Sequence, residues 1–428
     1  MNRTLYHRMI HDTVHGSFYL HKLLWQVIDT PEFQRLRNIR QTGNTHFVYD
    51  GSNHTRFEHS IGVAHLCRVF AHKLRQNSGH DIISDRQILL LQLAGLTHDI
   101  GHCAFSHLFD GKILPYFDPD AHFHHEQASY MILKRIYYKL EPEFNHYSIK
   151  LEDIKKVGRL ILGSPEKVPE SLREELVWTA EDRQHRFMYQ ILANEVDGID
   201  VDKFDYIKRD CHNTGIVTGF DPHRLMEFAY IDVSDNYSLK YLPKAKELIR
   251  EMWEARAQLH RRVYQHRVVK CFDEMILDIF KLVGTEVVLT TSQGNRVPLA
   301  QIHHDLDAYL LVTDHILSHI RLMPVNNEKV AEAKRLLNLI DNRRNWPTIF
   351  SAVLTDTSML PNNYIRNLID AQAVAVCECH VADETIYYFF SKGELQAQDL
   401  NQLRQLYQLL NGHPNCTSLK LKLDLLAA

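Results

Sequence analysis

The sequence has no Cys-x-x-Cys pair. Its seven cysteines are scattered, and the nearest two, Cys377 and Cys379, are two residues apart. That excludes a redox dithiol motif and leaves free buried thiols in a reducing compartment as the reading. No stretch approaches the roughly 18 apolar residues of a membrane span. The opening residues, MNRTLYHRMIHDTVHG, lack the apolar core of a signal peptide. The chain therefore reads as intracellular, cytoplasmic or nuclear, with no membrane attachment. Gly/Pro/Ser-rich tracts, like-charge runs and internal repeats are missing too, so no disordered tail is expected. A surplus of positive charge is also lacking. The formal net charge is -4, and any nucleic-acid binding would have to come from local basic clusters, as a secondary activity.

What is plentiful is histidine, 28 against 17 glycines in 428 residues. With 45% hydrophobic and 24% charged residues, the chain can bury a sizeable core. Helical periodicity dominates from about Leu20 to Leu322. After His59, apolar residues at Val63, Leu66, Phe70 and Leu74 recur three or four apart, one buried helix face. Ser84 followed by Gln87 is a capping-box signal, and Ile88 to Leu96 is apolar on every side, which predicts a central helix. Gly163 to Glu170 reads as a loop, and a further helix is expected from about Lys244 to Leu282. Beyond Leu322 the pattern changes. AVAVCECHV and ETIYYFF read as strands, LNQLRQLYQLL as a helix and SLKLKLDLL as a strand. A mainly α fold is expected, with a helical core over residues 1–322 and a small C-terminal α+β lobe over 323–428.

The central helix runs directly into LAGLTHDIGHCAFSHLFD, which places three histidines and two aspartates in eighteen residues. A lone His-Asp dipeptide is a weak signal, because a histidine beside a core is more often simply hydrogen-bonded. The set is stronger. His59 opens one helix, His98 and Asp99 end the next, and Asp202 lies in the acidic stretch EVDGIDVDKFDYIKRD. Two imidazoles and two carboxylates form a mixed donor set suited to Mn, Fe, Zn or Mg.

The spacing H...HD...D, with NHTRFEHSIGV, THDIGHCAFSHLFDG, HHEQ at His124 to Gln127, GIDVDKFDYIKRDCHNTGI at Gly198 to Ile216 and LHRRVYQHRV at Leu259 to Val268, resembles the HD superfamily of metal-dependent phosphohydrolases. Within it, the chain is most similar to the deoxynucleotide triphosphohydrolases that in vertebrates pair a SAM domain with an HD domain. The likeness runs from about Tyr6 to Leu322. It implies an HD-domain helical core and a divalent metal held by His59, His98, Asp99 and Asp202. It further implies that Arg56 contacts the α-phosphate and that His102, His107, Asp110 and His125 line the same cleft. Lys203 and Arg256 would touch the phosphates. Gln41, Tyr206, Asp210 and Tyr264 would surround the sugar, and Gln265 would meet the base edge. The Arg256 to Lys270 stretch also reads as an ordinary solvated basic helix face.

Members of the family assemble when guanine and deoxynucleoside triphosphates fill sites between subunits. Asp29, Gln34 and Arg37 in DTPEFQRLR match the guanine-reading residues, and Arg224, Arg262 and Arg267 match basic contacts of the adjoining site. GTP or dGTP is therefore an expected activator, and a homodimer or tetramer an expected assembly. Arg8 stands where a lysine is usual and Thr42 where a leucine usually shields the sugar. No SAM domain is expected before residue 1.

A bound cation can lower the pKa of water from about 15.7 to about 7. If the nucleoside 5′-oxygen leaves, it departs as a strongly basic alkoxide and needs a proton. His125, oriented by Asp110, and His107 are the two candidates to supply it. A dNTP triphosphohydrolase is the leading expectation. An HD phosphodiesterase or nuclease, and a nucleic-acid-binding protein that keeps the HD site for structure, are the alternatives.

Overall fold

The computed structural model describes residues 8–79, 81–121, 123–355, 374–381, 384–392, 395, 397–411 and 413–421. Helix α1, Arg56–Ser78, begins where the Glu58 carboxylate accepts the Thr55 backbone N–H at 2.8 Å. That bond satisfies one of the amides a helix start leaves without a partner. Its expected apolar stripe, Val63, Leu66, Phe70 and Leu74, is fully buried. Helix α2, Asp85–Thr97, carries the predicted capping box: Gln87 N donates to Ser84 Oγ at 3.2 Å, and Ser84 N to Gln87 Oε1 at 2.8 Å. From Ile88 to Thr97 only Leu89 is less than fully buried, so α2 is a core helix.

The two helices approach closely because Gly95 has no side chain. A Cβ there would stand 2.7 Å from Cys67 Sγ. Helix α3, His125–Lys139, and helix α4, Leu151–Leu162, pack on each other, and α4 also packs on α2. Helix α5, Val201–Thr214, lies against α1. Its N-cap Asp200 accepts the Lys203 backbone N–H at 3.0 Å, and Gly215 ends it in left-handed backbone (φ 71°). Gly62 on α1 faces this helix, and a Cβ there would collide with the Asp205 carboxylate. Burial of one leucine-sized side chain is worth about 1.5–3 kcal/mol, so these contacts fix α1, α2 and α5 as the rigid mount of the site.

The fold is helical, as expected, with only small antiparallel sheets among the described residues. Three short hairpins in the first 322 residues were not anticipated: Met9–Asp12 with Gly16–Tyr19, Ala229–Asp232 with Ser238–Tyr241, and Val288–Thr290 with Arg296–Pro298. Strands of three or four residues are too short to show a period of two. The helix expected from Lys244 to Leu282 is two helices. Lys246–Leu259 continues into a wide-turned stretch, His260–Tyr264, and a new helix α6 begins at Arg267 and runs to Val283.

The chain forms two compact units. The first comprises residues 1–256 and 284–319, and the second residues 257–283 with 320–428. The division thus differs from a single break after residue 322, because α6 packs with the C-terminal elements, notably helix Glu328–Asp341. The second unit holds a four-stranded antiparallel sheet in the order Cys416–Leu421, Thr348–Leu354, Glu384–Ser391, Val374–Val381. Its apolar face packs on helix Ala397–Leu410 through Leu354, Tyr387, Phe389, Leu403, Leu406 and Leu410. The predicted strands and helix of this region are present. The last part of SLKLKLDLL, residues 422–426, lies outside the described residues. Among the described residues no helix is long and apolar enough to cross a membrane.

Candidate metal centre and adjoining histidine cluster

His59 sits in the first turn of α1 and is fully buried. Its ring is held by α5, where Asp202 and Asp205 stand one helical turn apart on the side facing α1. Asp205 Oδ2 lies 2.7 Å from His59 Nδ1, which fixes the ring so that Nε2 looks away from Asp205. That Nε2 lies 3.0 Å from Asp202 Oδ1 and 3.3 Å from Asp99 Oδ2. Asp205 is itself clamped, by His15 Nε2 at 2.7 Å and by Arg209 Nε and Nη2 at 2.8 and 2.9 Å, and Arg209 Nη2 also reaches Asp12 at 3.0 Å.

His98 follows α2 as its C-cap. Its Nδ1 sits 2.8 Å from the Gly95 carbonyl, and its Nε2 lies 3.4 Å from both Asp99 Oδ1 and Asp202 Oδ1. The turn that follows is braced from several sides. Ser129 Oγ on α3 donates to the His98 carbonyl (2.6 Å) and accepts Gly101 N–H (2.9 Å). Arg35 donates to the carbonyls of Ile100 and His102 at 2.8 and 2.6 Å, and Tyr309 Oη to that of Gly101 at 2.7 Å. Phe105 and Ser106 adopt left-handed backbone, φ 61° and 55°, which side chains other than glycine rarely take. Asp314 Oδ1 holds the Phe105 amide at 2.7 Å, and Ser106 Oγ accepts Arg56 Nε at 3.0 Å.

The donor set suits a divalent ion. His59 Nε2 and His98 Nε2 are buried with no hydrogen-bond partner of good geometry among the described residues. With one oxygen of Asp202 they lie within 4.8 Å of one another. Two imidazoles and two carboxylates match borderline divalent ions. Asp99 is the shared member. It also takes the Arg56 Nη1 ion pair, and its Oδ1 lies 3.4 Å from His102 Nε2. Burial opposes charge on His59, yet the carboxylates of Asp202, Asp205 and Asp99 outweigh it and hold the ring well above the usual histidine pKa. The same surplus of negative charge attracts a metal cation.

Asp99 leads into a second cluster. His102, His107, Asp110 and His125 offer four ligand-type atoms within 4.8 Å of one another. His102 and His125 stack at 3.8 Å, and His107 stands edge-on to both at 5.0 and 5.7 Å. His125 Nδ1 lies 2.9 Å from Asp110 Oδ2, whereas His102 Nδ1 is 3.6 Å from it. The rings therefore differ in how readily they take a proton. Burial disfavours the His125 imidazolium, but the hydrogen bond to Asp110 and the charge of Glu126 raise its pKa above the ordinary value. His107, buried beside Arg56 and His125, is pushed down to about 4, and His102 is held well below the usual value by burial and Arg56.

Residues 56–209 match the family model described as HD domain. Over these residues the chain is similar to the HD domain family. All four metal candidates and the whole histidine cluster fall inside the matched HD domain. The chain is 37% identical over 343 residues to human deoxynucleoside triphosphate triphosphohydrolase SAMHD1, covering 78% of this chain and 54% of the relative. It is 31% identical over 338 residues to the Dictyostelium discoideum SAMHD1 homolog, covering 79% and 58%. It is also 31% identical over 335 residues to the putative HD domain-containing protein L394 of Acanthamoeba polyphaga mimivirus, covering 75% and 65%. The chain thus spans about half the length of the vertebrate relatives it matches.

The remaining predicted residues fall into separate groups. Near the HD centre, Gln41 is buried, and its carbonyl accepts Arg56 Nη2 at 3.2 Å. Lys203 Nζ pairs with Asp200 at 2.8 Å, and Arg256 Nε donates to Tyr206 Oη at 3.1 Å. Asp210, expected at the sugar, pairs with the buried His54 at 2.6 Å. Arg8, Asp29, Gln34 and Arg37 form two side-chain pairs near one another in sequence: Arg8 with Asp29 at 2.7 Å and Arg37 Nε with Gln34 Oε1 at 2.9 Å. Thr42 Oγ1 sits 2.6 Å from Thr45 Oγ1 and 2.8 Å from Ser52 Oγ. Arg224 is exposed on the short helix Pro222–Met226. Arg262, Tyr264, Gln265 and Arg267 belong to the second unit. There the Gln265 carbonyl accepts Tyr388 Oη at 3.1 Å, and Arg267 donates to Thr348 Oγ1 at 2.9 Å.

Sequence reasoning missed the residues that aim the ligands. Asp205 was within reach, since it follows Asp202 by one helical turn in DKFD. His15 and Asp314 carry no local signal, because their partners are far away in sequence, whereas Arg209 follows Asp205 at i+4 on the same helix.

Proposed function

We propose that this HD domain hydrolyses deoxynucleoside triphosphates at the α-phosphorus, releasing the deoxynucleoside and inorganic triphosphate. One observation carries the reading: the candidate metal set shares Asp99 with a cluster whose His125 is paired to Asp110. Charge attraction and a proton donor thus lie side by side. His59, His98, Asp99 and Asp202 would hold the divalent ion, of the Mn, Fe, Zn or Mg class. Bound there, such an ion neutralises phosphate charge and makes water a stronger acid, from about 15.7 toward about 7.

The reaction forms a bond from the water oxygen to the α-phosphorus and breaks the bond to the nucleoside 5′-oxygen. The departing oxygen takes a proton from His125 Nε2, while Asp110 holds the opposite ring nitrogen. His125 is favoured over His107 because only His125 has a close carboxylate partner that stabilises its charged form. Arg56 is committed to Asp99, Ser106 and the Gln41 carbonyl, so it acts as a fixed positive charge beside the α-phosphate. Lys203 and Arg256 meet the outer phosphates. Tyr206, Gln41 and Asp210 face the sugar, where a close-packed ring would disfavour a ribose hydroxyl. Asp29 and Gln34, with Arg8 and Arg37, are read as a guanine-binding patch through which GTP or dGTP promotes assembly.

The test is to incubate the protein with each dNTP and Mn or Mg, with and without GTP, and to resolve the products by ion-pair chromatography. Triphosphate and deoxynucleoside are expected; diphosphate with dNMP would overturn the reading. Gel filtration with and without dGTP checks assembly, and an unchanged mass would remove the activation proposal.

A further inference from the structure

A third group of ligand-type side chains lies apart from the HD centre. Asp118, His303 and His304 each offer one atom, and the three lie within 4.8 Å of one another. Asp118 is the C-cap of the short helix Leu114–Phe117, and the two histidines end the 3-10 turn Leu299–His304. His303 Nε2 stands 3.0 Å and His304 Nε2 3.8 Å from the same oxygen, Asp118 Oδ2. The two rings are 3.8 Å apart. Two adjacent imidazoles that turn their Nε2 atoms to one carboxylate oxygen make a face of two nitrogens and one oxygen. Their opposite edge is open, because the His304 side chain is 66% exposed and that of Asp118 31%.

We propose that Asp118, His303 and His304 form a second, peripheral site for a divalent transition-metal ion, distinct from the HD centre. The chemistry argues for zinc, cobalt, nickel or copper rather than magnesium or calcium, since two of the three ligands are imidazoles. Three protein ligands leave positions for water, as an exchangeable site requires.

The position gives the site a consequence. Asp118 lies eight residues after Asp110 and seven before His125, the two members of the proposed proton-donating pair. Phe123, in the same connection, packs edge-on against His303 at 6.2 Å and Tyr309 at 5.4 Å. A metal bridging Asp118 to the Leu299–His304 turn would staple this connection and steady the Asp110–His125 pair. Metal at the periphery would then tune the HD site without touching substrate.

The test uses the full chain as purified. Titration with Co2+ alone, followed by the visible absorbance of imidazole-bound cobalt and by elemental analysis after desalting, should show one equivalent retained beyond the metal already carried. His304→Ala and Asp118→Asn should each lose that equivalent, with circular dichroism unchanged. Asp202→Asn should keep it. His304 is exposed, so its variant removes a ligand without touching the core. Equal cobalt retention in wild type, His304→Ala and Asp118→Asn would overturn the proposal, as would loss of the extra equivalent in Asp202→Asn.

Discussion

Replacing Asp205 with asparagine separates aiming a metal ligand from being one. Asp205 is fully buried and accepts from His59, His15 and Arg209 at 2.7 to 2.9 Å. Burial opposes its charge, but Arg209, His15 and His59 hold its carboxyl well below the usual range, so it is ionised at neutral pH. Asp205→Asn preserves shape but removes the charge and turns an N–H2 toward groups that already donate. Arg209 then keeps only Asp12, at 3.0 Å. Breaking a buried ion pair from one side costs about 3–5 kcal/mol, a large share of the roughly 5–15 kcal/mol that holds a domain together. Loss of the bond that orients a metal-bound histidine costs about 10–100-fold in metal affinity. Asp202→Asn should behave in the opposite way. Its side chain is 32% exposed, so stability of the metal-free protein should change little, whereas metal binding should be lost. Urea unfolding of the metal-stripped proteins and competitive metal titration read the two effects separately. If Asp205→Asn binds metal within about threefold of wild type, below the range expected for an orienting partner, the reasoning about His59 is refuted.

His125→Ala should retain metal while turnover falls by about 10²–10⁴-fold, the range for loss of a general acid; equal metal loss in Asp202→Ala and His125→Ala, read by elemental analysis, would refute the division of roles. The proton donor must be charged, so kcat should fall as pH rises through the elevated pKa of His125. Asp110→Asn removes the group that elevates it, and the alkaline limb of the kcat profile should move to lower pH; a limb that stays in place would assign it to another group. Gly101→Ala would drive a Cβ into the His125 carbonyl and the Ser129 amide. It should destabilise by about 1–3 kcal/mol in thermal unfolding, with activity lost faster than stability, and a wild-type melting curve would show that the turn yields freely.

Much of the site was legible because its pieces are local. The α2 capping box, the apolar run and the His98–Asp99 pair lie in one continuous stretch, and the Asp202 to Asp210 spacing is simple helical arithmetic. The α1 face at Val63, Leu66, Phe70 and Leu74 was equally plain. The sequence did not reveal how His59 is aimed, because Asp205 is held by His15, 190 residues away, and by Arg209, which is itself anchored by the distant Asp12. Nor did it separate His125 from His107. That difference rests on one contact, Asp110 to His125 at 2.9 Å, made between residues fifteen apart that no helical or strand period relates. The association of α6 with the C-terminal sheet was hidden for a similar reason. Its helical pattern continues that of the preceding helix, and only the break at Gln265 and His266 parts them.

The left-handed pair Phe105 and Ser106 sets a lower bound on any working fragment. Each such residue stores on the order of 1–3 kcal/mol, and beside Ser129 and Arg56 much of the restraint comes from Arg35, Tyr309 and Asp314, which lie outside the 56–209 region. A piece trimmed to the matched region would carry every proposed ligand on a segment free to spring back, displacing His107 and Asp110 from Asp99. Excision on either side should therefore silence the molecule while leaving each chemically reactive group in place.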